Sequence, residues 1–509
     1  MNTEPCALWQ YYFGERSDRA VISDAVATAI QSHRTIVVLG YGISNQPLVE
    51  LLHRLGACIC VYDQKPIAAL GARAAQLCGA GVTFVHTHDR WLTLRPAVIF
   101  RSPGIRPDLA PIADAVADGA LLTGEMEWFL ERTSATVIGI TGSDGKSTTT
   151  TLTAKMLEAQ CRSDGHGRVF LGGNLGTPLL PLLPEMTKDD FAVVELSSFQ
   201  LSTPICAPVR AAITNITPNH LNWHIDMEEY TAAKQNICDL SRGTRLVTNV
   251  CNDRTRHIAE AYMAAGGEAV LFGVEATFPA WAGDTISCRD GVVVYREAHG
   301  TERTILPVDE ILLPGKHNIE NFMTACALVM GYADTATMAA VGRTFGGVEH
   351  RLQRIRTVGG VTFYNSSIDS SPTRTAAALS ALPARSAVVI CGGYDKNIPF
   401  EALAQVLCAR AGAVVLTGAT RDKIMSAMCA HPAYDAAALR VEIRADFAEA
   451  VALAATLAWD GYGENVLLSP ACASFDAFAN FEERGRAFCA LVMQMCAPNT
   501  IEKETENKT

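Results

Sequence analysis

Short, continuous apolar runs alternate with longer alanine- and leucine-rich segments along most of the chain. The runs predict strands at Thr35–Leu39, Cys58–Tyr62, Ala97–Phe100, Thr136–Ile140, Ala192–Leu196 and Ala211–Ile216, then at Arg245–Asn249, Ala269–Gly273, Val361–Asn365, Ala387–Cys391, Ala413–Thr417 and Asn465–Leu468. Unbroken rather than alternating apolar runs are the pattern of strands buried on both faces of a parallel sheet. Their alternation with helical segments implies βαβ units and an α/β fold class. Thr285–Tyr295 is β-rich with a turn signal at Asp290-Gly291, which predicts a small antiparallel addition.

Two breaks divide this pattern. A helix-like segment, Glu125–Leu130, gives way to a new strand near Glu131–Ser134, and a second helical segment ends at Thr344-Phe345, before Gly346–Arg351. The expected division is therefore 1–132, 133–349 and 350–498, with a polar tail, 499–509, expected to be disordered. A length of 509 residues agrees with about three domains at roughly 100–200 residues each.

Composition narrows the function classes. Hydrophobic residues make up 49% and charged residues 19%, which excludes a wholly disordered chain. The net charge is −11, so partners of the nucleic-acid class and anionic membrane surfaces are not expected. No apolar run is long enough for a membrane span, so no membrane insertion is expected, and Met1–Asp18 carries no secretory-leader pattern. The 16 cysteines are scattered with no CxxC pair, the usage of reduced, buried thiols in a cytoplasmic protein.

The strongest chemical signal is the run from Thr136 to Thr150. An apolar strand leads into Thr141-Gly142-Ser143-Asp144-Gly145-Lys146-Ser147-Thr148, and a helical segment follows through Leu157. Glycines there let backbone N–H groups approach phosphate oxygens, and a helix N-terminus adds partial positive charge. Lys146 can reach outer phosphates and Ser147 can ligate a divalent cation. The full P-loop spacing requires a glycine where Ile140 stands, so this is a shortened variant.

Other motifs also follow strands. Glu195 closes an apolar strand before Leu196-Ser197-Ser198-Phe199-Gln200, where a carboxylate can hold Mg2+ or simply be solvated. His220 lies in Thr217-Pro-Asn-His-Leu221. Lys234, in Tyr230-Thr-Ala-Ala-Lys234, reads from its residues alone as a solvated helix-face lysine. Asn318 and Asn321 share a helix face and suit either an adenine edge or a helix cap. Arg351 stands at a domain break, where it could meet phosphates on closure. In the last domain, Gly392-Gly-Tyr-Asp-Lys396 and Ser469-Pro-Ala-Cys-Ala-Ser474 follow strands, and each could be an ordinary βα turn. The N-terminal Gly40-Tyr-Gly42, with Asp63 ending the next strand, is a truncated dinucleotide-fold pattern.

In this order the segments TGSDGKST, ELSSFQL, TPNHL, YTAAK, LPGKHNIENF, GGYDK and LSPACASFDAFANFEERG resemble the Mur ligase family of bacterial cell-wall synthesis, over about Val37 to Arg484. The last segment is most similar to that of the glutamate-adding members. The resemblance implies a Rossmann-like UDP-binding domain, a central P-loop-type ATPase domain with a mostly parallel sheet, and a Rossmann-like C-terminal domain. It implies ATP and Mg2+ as cofactors, with Thr141 to Thr148, Asn318 and Arg351 on ATP and Lys146 on the outer phosphates. Ser147, Glu195, His220 and Lys234 are then metal ligands, Lys234 after carbamylation by CO2, and Lys146, His220 and Lys234 the catalytic set. Asn174, Ser197 and Gln200 correspond to contacts with the muramoyl-alanine moiety. Ser44, Asp63, Ser102 and Gly104 correspond to UDP contacts. Lys396, Ser474 and Phe481 match the positions that hold glutamate. The implied partners are UDP-N-acetylmuramoyl-L-alanine and D-glutamate, on a monomeric chain.

The chain also departs from the family pattern. It reads Asn365-Ser366-Ser367-Ile368 where many members have Asn-Asp-Ser-Lys, so an acid and a lysine expected near the nucleotide are missing. Asp369, three positions on from Ser366, is the candidate replacement for the acid. A ligase with another amino acid or acceptor, and a catalytically silent nucleotide-binding regulator, are the alternative readings.

Overall fold

The computed structural model describes residues 20–87, 93–313, 315–395 and 398–497. Its secondary structure is mixed α/β, arranged on three mostly parallel sheets. The chain divides between Phe345 and Gly346 into two compact units, the first of which holds two of the sheets.

The first sheet is built from β1 (Thr35–Leu39), β2 (Cys58–Tyr62), β3 (Thr83–Val85), β4 (Val98–Arg101) and β5 (Leu121–Thr123), in the order β3-β2-β1-β4-β5, all parallel. Strand order reverses between β1 and β4, which opens a crevice at their carboxyl ends. The central sheet holds β6 (Thr136–Thr141), β7 (Val169–Gly173), β8 (Phe191–Glu195), β9 (Arg210–Ile213), β10 (Arg245–Asn249), β11 (Glu268–Val274), β12 (Asp284–Arg289), β13 (Val292–Arg296) and β14 (Glu302–Pro307). Its order is β14-β13-β12-β11-β10-β9-β6-β8-β7, with β13 and β14 antiparallel additions. The turn expected at Asp290-Gly291 joins β12 to β13, and both residues have positive φ, as a tight two-residue hairpin requires.

One apolar cluster runs through both sheets of the first unit. It takes Ile36 and Val38 of β1, Trp128 and Phe129 of helix Glu125–Arg132, and Val194 of β8. The opposite faces of the two sheets carry their own clusters, around Val37 and Ile99 and around Ile138, Val193 and Phe322. Burial on both faces is why these strands are unbroken apolar runs. Each fully buried Val, Leu or Phe contributes about 1.5–3 kcal/mol relative to exposure.

The second unit holds β15 (Gln353–Val358), β16 (Val361–Asn365), β17 (Ala387–Gly392), β18 (Ala413–Thr417), β19 (Arg440–Ile443) and β20 (Asn465–Leu468), in the order β15-β16-β20-β17-β18-β19. Only β15 is antiparallel to its neighbour. Among the described residues the cysteines are free, and no helix is long and apolar enough to cross a membrane.

Candidate active site

At the carboxyl end of β6 the chain turns through Gly142 to Gly145 and enters the helix Lys146–Asp164. Gly142 (φ +150°) and Gly145 (φ +79°) occupy backbone conformations that L side chains rarely adopt. A Cβ on Gly142 would fall 1.8 Å from Thr214 Oγ1, and one on Gly145 would fall 2.2 Å from Asn321 Oδ1. The segment after β9 braces the loop: Ser143 N–H donates to Asn215 O at 2.9 Å, and Asp144 N–H to Asn215 Oδ1 at 2.9 Å. Thr214 Oγ1 donates to Asp144 O at 2.6 Å. Lys146 Nζ folds back onto Ser143 O at 2.9 Å, and Thr148 follows on the first turn of the helix. The result is a preformed anion cradle at a helix N-terminus.

Four sequence-expected residues from outside the loop, Asn174, Glu195, His220 and Lys234, stand beside this cradle. Ser147 Oγ donates to Glu195 Oε2 at 2.6 Å, and Asn174 Nδ2 donates to Glu195 Oε1 at 2.8 Å. Lys234 is 1% exposed. Its Nζ donates to Gly142 O at 2.7 Å and lies 4.6 Å from the Tyr230 ring centroid. Burial first, and the neighbouring Lys146 charge second, push its amine well below the usual lysine range. The residue-only reading of Lys234 as a solvated lysine is therefore overturned. Tyr230, Ala233 and Lys234 are the buried positions of helix Met227–Gln235, so the lysine occupies the inward stripe. His220 sits in a left-handed conformation (φ +56°) with its ring 4.9 Å from that of Phe199. His220 is exposed as a residue, and partial desolvation of its ring, then the charges of Lys146 and Lys234, lower its pKa in the direction that favours the neutral imidazole.

These residues fit a divalent cation shared with phosphate. No cluster of three His, Cys, Asp or Glu side chains occurs among the described residues, so a closed all-protein site is not built here. An open set of the Ser147 hydroxyl and Glu195 carboxylate, already 2.6 Å apart, matches the habit of Mg2+ of keeping ligand positions for substrate oxygens.

Ser197 and Gln200 close a tight turn just past Glu195. Gln200 Oε1 accepts from Ser197 N–H and Ser197 Oγ, each at 2.9 Å. The expected UDP residues gather at the strand-order reversal of the first sheet. Asp63 Oδ2 accepts from Tyr41 N–H at 2.8 Å, and Ser44 precedes the helix Asn45–Arg54. Asn45 Nδ2 reaches Ser102 Oγ at 3.0 Å, and Gly104 O accepts from Trp223 Nε1 at 2.9 Å. Asn321 is turned inward: its Oδ1 accepts from Thr149 Oγ1 at 3.3 Å and its Nδ2 donates to Asn318 Oδ1 at 3.3 Å.

In the second unit, Ser474 is buried and its carbonyl accepts from Phe478 N–H at 2.8 Å. Phe481 opens the helix Phe481–Gln494, and its carbonyl accepts from Ser367 Oγ at 2.8 Å. Arg351 is exposed. Lys396 lies outside the described residues. Asp369 is buried, with Ser469 Oγ donating to its Oδ2 at 2.7 Å, and burial raises its pKa. It braces the β20 loop rather than presenting an open carboxylate. Sequence reasoning passed over Arg484, which is buried and donates to Ser367 O, Cys472 O and Ala473 O. Its signal was an arginine in the first turn of an otherwise amphipathic helix.

A strand, a glycine loop with lysine and serine at a helix start, and a carboxylate on the next strand over define a phosphate-loop α/β protein. Comparison with known proteins narrows this further. The Mur ligase middle domain matches residues 140–329, and the Mur ligase glutamate ligase domain matches residues 350–472. The chain is 40% identical over 464 residues to the UDP-N-acetylmuramoylalanine--D-glutamate ligase of Acetivibrio thermocellus, covering 90% of this chain and 96% of that protein. It is 38% identical over 471 residues to the enzyme of the same name from Ruminiclostridium cellulolyticum, again covering 90% and 96%. The crystal structure of MurF from Acinetobacter baumannii shares the fold, with a TM-score of 0.50 at 16% identity over 93% of this chain and 98% of that one. The chain belongs to the Mur ligase family.

Proposed function

We propose that this chain is an ATP-dependent ligase that joins D-glutamate to UDP-N-acetylmuramoyl-L-alanine in the cytoplasmic assembly of peptidoglycan precursors. The observation that carries the reading is the convergence of Lys146, Ser147, Glu195 and the buried Lys234 on one glycine loop. Relatives that bear this activity in their names, 38–40% identical over most of the chain, support it.

A carboxylate is a poor acyl donor, because its leaving group would be oxide. Transfer of the γ-phosphoryl group of ATP to the carboxylate of the acceptor gives an acyl phosphate, whose leaving group is stable phosphate. Attack by the glutamate amine then gives the amide, ADP and phosphate. Thr141 to Thr148 hold the ATP phosphates, with Lys146 on the outer ones, and Asn318 and Arg351 hold the rest of the nucleotide. Negative charge spreads over the phosphoryl oxygens during transfer, so preorganised donors aimed there carry most of the stabilisation. Ser147, Glu195, His220 and carbamylated Lys234 would hold Mg2+, which would supply charge neutralisation at those oxygens. The depressed pKa of Lys234 favours the free amine, whose nitrogen attacks the carbon of CO2 and releases a proton, so that the carbamate puts an anion where the lysine stood. Asn174, Ser197 and Gln200 orient the muramoyl-alanine. Ser44, Asp63, Ser102 and Gly104 hold UDP, and Lys396, Ser474 and Phe481 hold glutamate.

In this reading the chain is a monomer of three domains, 1–132, 133–349 and 350–498, that bind UDP, ATP and glutamate in turn. The test is Mg2+-dependent phosphate release from ATP with the acceptor and D-glutamate, L-glutamate or no amino acid. Release that depends on D-glutamate is expected. Preference for L-glutamate would refute the stereochemistry, and no release with either would favour a nucleotide-binding regulator.

A further inference from the structure

Arg101 ends β4, one residue before Ser102, and its side chain leaves the first sheet altogether. It is 3% exposed. Its Nη1 donates to Pro103 O at 3.0 Å and Ile105 O at 2.9 Å, which fixes the loop that carries Ser102 and Gly104. Its Nη2 reaches the segment that follows β8 of the central sheet, donating to Phe199 O at 3.0 Å, Ser202 Oγ at 2.9 Å and Thr203 Oγ1 at 3.3 Å. Those three acceptors belong to the turn that follows Glu195 and contains Ser197 and Gln200.

The charge is not used for a direct ion pair. Every acceptor is a main-chain carbonyl or a hydroxyl, and the nearest acid, Glu127, is bonded to Thr203 Oγ1 at 2.8 Å. Burying an arginine against neutral acceptors is an expensive way to join two lobes that already share an apolar core. What a guanidinium adds is geometry: planar donors that fix the outer half of one turn relative to another loop. The turn is also tied to the metal side of the site, since the Phe199 ring packs 4.9 Å from His220 and 4.7 Å from Trp223. A second arginine of the same loop reaches across as well, but through ion pairs, with Asp108 of its own loop at 2.8 Å and with Glu229. Arg106 donates to Trp223 O and, at 3.0 Å, to Glu229 Oε1.

We propose that Arg101 is a positioning residue for the acceptor. It sets the Ser197–Gln200 turn at a fixed distance from the Ser102–Gly104 loop, so that the nucleotide end and the carboxylate end of one long substrate are registered together. The proposal rests on the ligase reading, and the wild type tests that reading separately: an inactive wild type refutes the reading, not the role of Arg101.

The experiment compares steady-state KM and kcat of the full chain and of Arg101→Ala, together with thermal unfolding of each. Losing the charge-assisted bonds to the turn should raise KM for the acceptor by roughly tenfold to a hundredfold, with KM for ATP changed by less than about twofold. Arg101→Lys, which keeps the charge with fewer donors, should fall between the two. A merely structural role predicts a lower unfolding temperature and less active protein, with both KM values unchanged. That result, or equal rises in both KM values, overturns the proposal. If Arg101→Ala does not fold, Ser202→Ala decides: it removes one acceptor, and a rise of about threefold in the acceptor KM alone is expected. An unchanged acceptor KM in Ser202→Ala refutes the idea.

Discussion

Glu125 opens the helix Glu125–Arg132 and is 5% exposed. Its Oε1 accepts from Leu180 N–H at 3.2 Å, which does not balance desolvation. Burial, with the nearby Glu127 charge adding to it, pushes its carboxyl up to about 8 from an ordinary 4.5. The sign of the effect on stability follows directly. Below about pH 4.5 both the folded and unfolded chains hold the proton, and Glu125 is neutral in both. As pH rises towards 8, the unfolded chain loses the proton and the folded chain keeps it, so stability falls by about 1.4 kcal/mol per pH unit. At pH 7 the accumulated destabilisation is about 3 kcal/mol, and above pH 8 it stops growing. Glu125→Gln removes this penalty and keeps an acceptor for Leu180 N–H. It buries one extra N–H donor, which offsets about 1 kcal/mol of the gain. The variant should therefore gain roughly 2 kcal/mol at pH 7 and lie slightly below wild type near pH 5. Urea unfolding at pH 5, 6.5 and 8 measures this, followed by fluorescence, with Trp128 reporting from the same helix. Parallel stability curves for the two proteins across this range would show that the carboxyl is ionised in the fold, and the reasoning would fail.

Lys146→Ala should abolish phosphate release while leaving the far-ultraviolet dichroism unchanged, since its Nζ bond to Ser143 O lies within the loop and outside every helix and strand ladder; normal turnover would remove it from the phosphate role. Lys234→Ala should be inactive and partly rescued by a short-chain carboxylic acid in the assay buffer, and an unaffected variant would make Lys234 an incidental buried amine. Gly142→Ala puts a methyl group 1.8 Å from Thr214 Oγ1, so it should lower ATP affinity more than global stability, read by nucleotide titration beside thermal unfolding. Arg484→Ala removes the donors holding Ser367, Cys472 and Ala473, and should destabilise the second unit by about 3 kcal/mol in urea unfolding.

The interior strands of all three sheets were legible from apolar runs, several to the residue, as at Thr35–Leu39, Arg245–Asn249 and Ala413–Thr417. The strands the pattern did not reveal are β3, β5, β7, β14, β15 and β19, and each is the edge of its sheet. An edge strand pairs on one side only, so it can be short and polar without exposing an apolar face. β3 and β5 have three residues each, and β15 reads Gln353-Arg-Ile-Arg-Thr-Val358, with no continuous apolar run. Apolar continuity measures burial between neighbours, and edges lack the second neighbour that would enforce it.

The site divides along a different line. Groups that act through backbone shape were visible, because positive φ and close neighbours both demand glycine at Gly142 and Gly145. Groups that act through burial were not. Lys234 and Arg101 are ordinary surface residue types, and nothing in their immediate neighbours marks them as 1% and 3% exposed. A buried cation is costly wherever it stands, so a fold retains it where its geometry or its chemistry is used. The two cases separate by partners. Arg101 has its donors spread over five oxygens and cannot lose its proton in the usual range, so its use is geometric. Lys234 is held by Gly142 O and distantly by Thr141 Oγ1, and burial first, with the Lys146 ammonium second, disfavours its protonated form. An amine in that setting is poised for covalent change, and its replacement by an anion would set a negative charge beside the Lys146 ammonium, an attraction the neutral amine cannot supply.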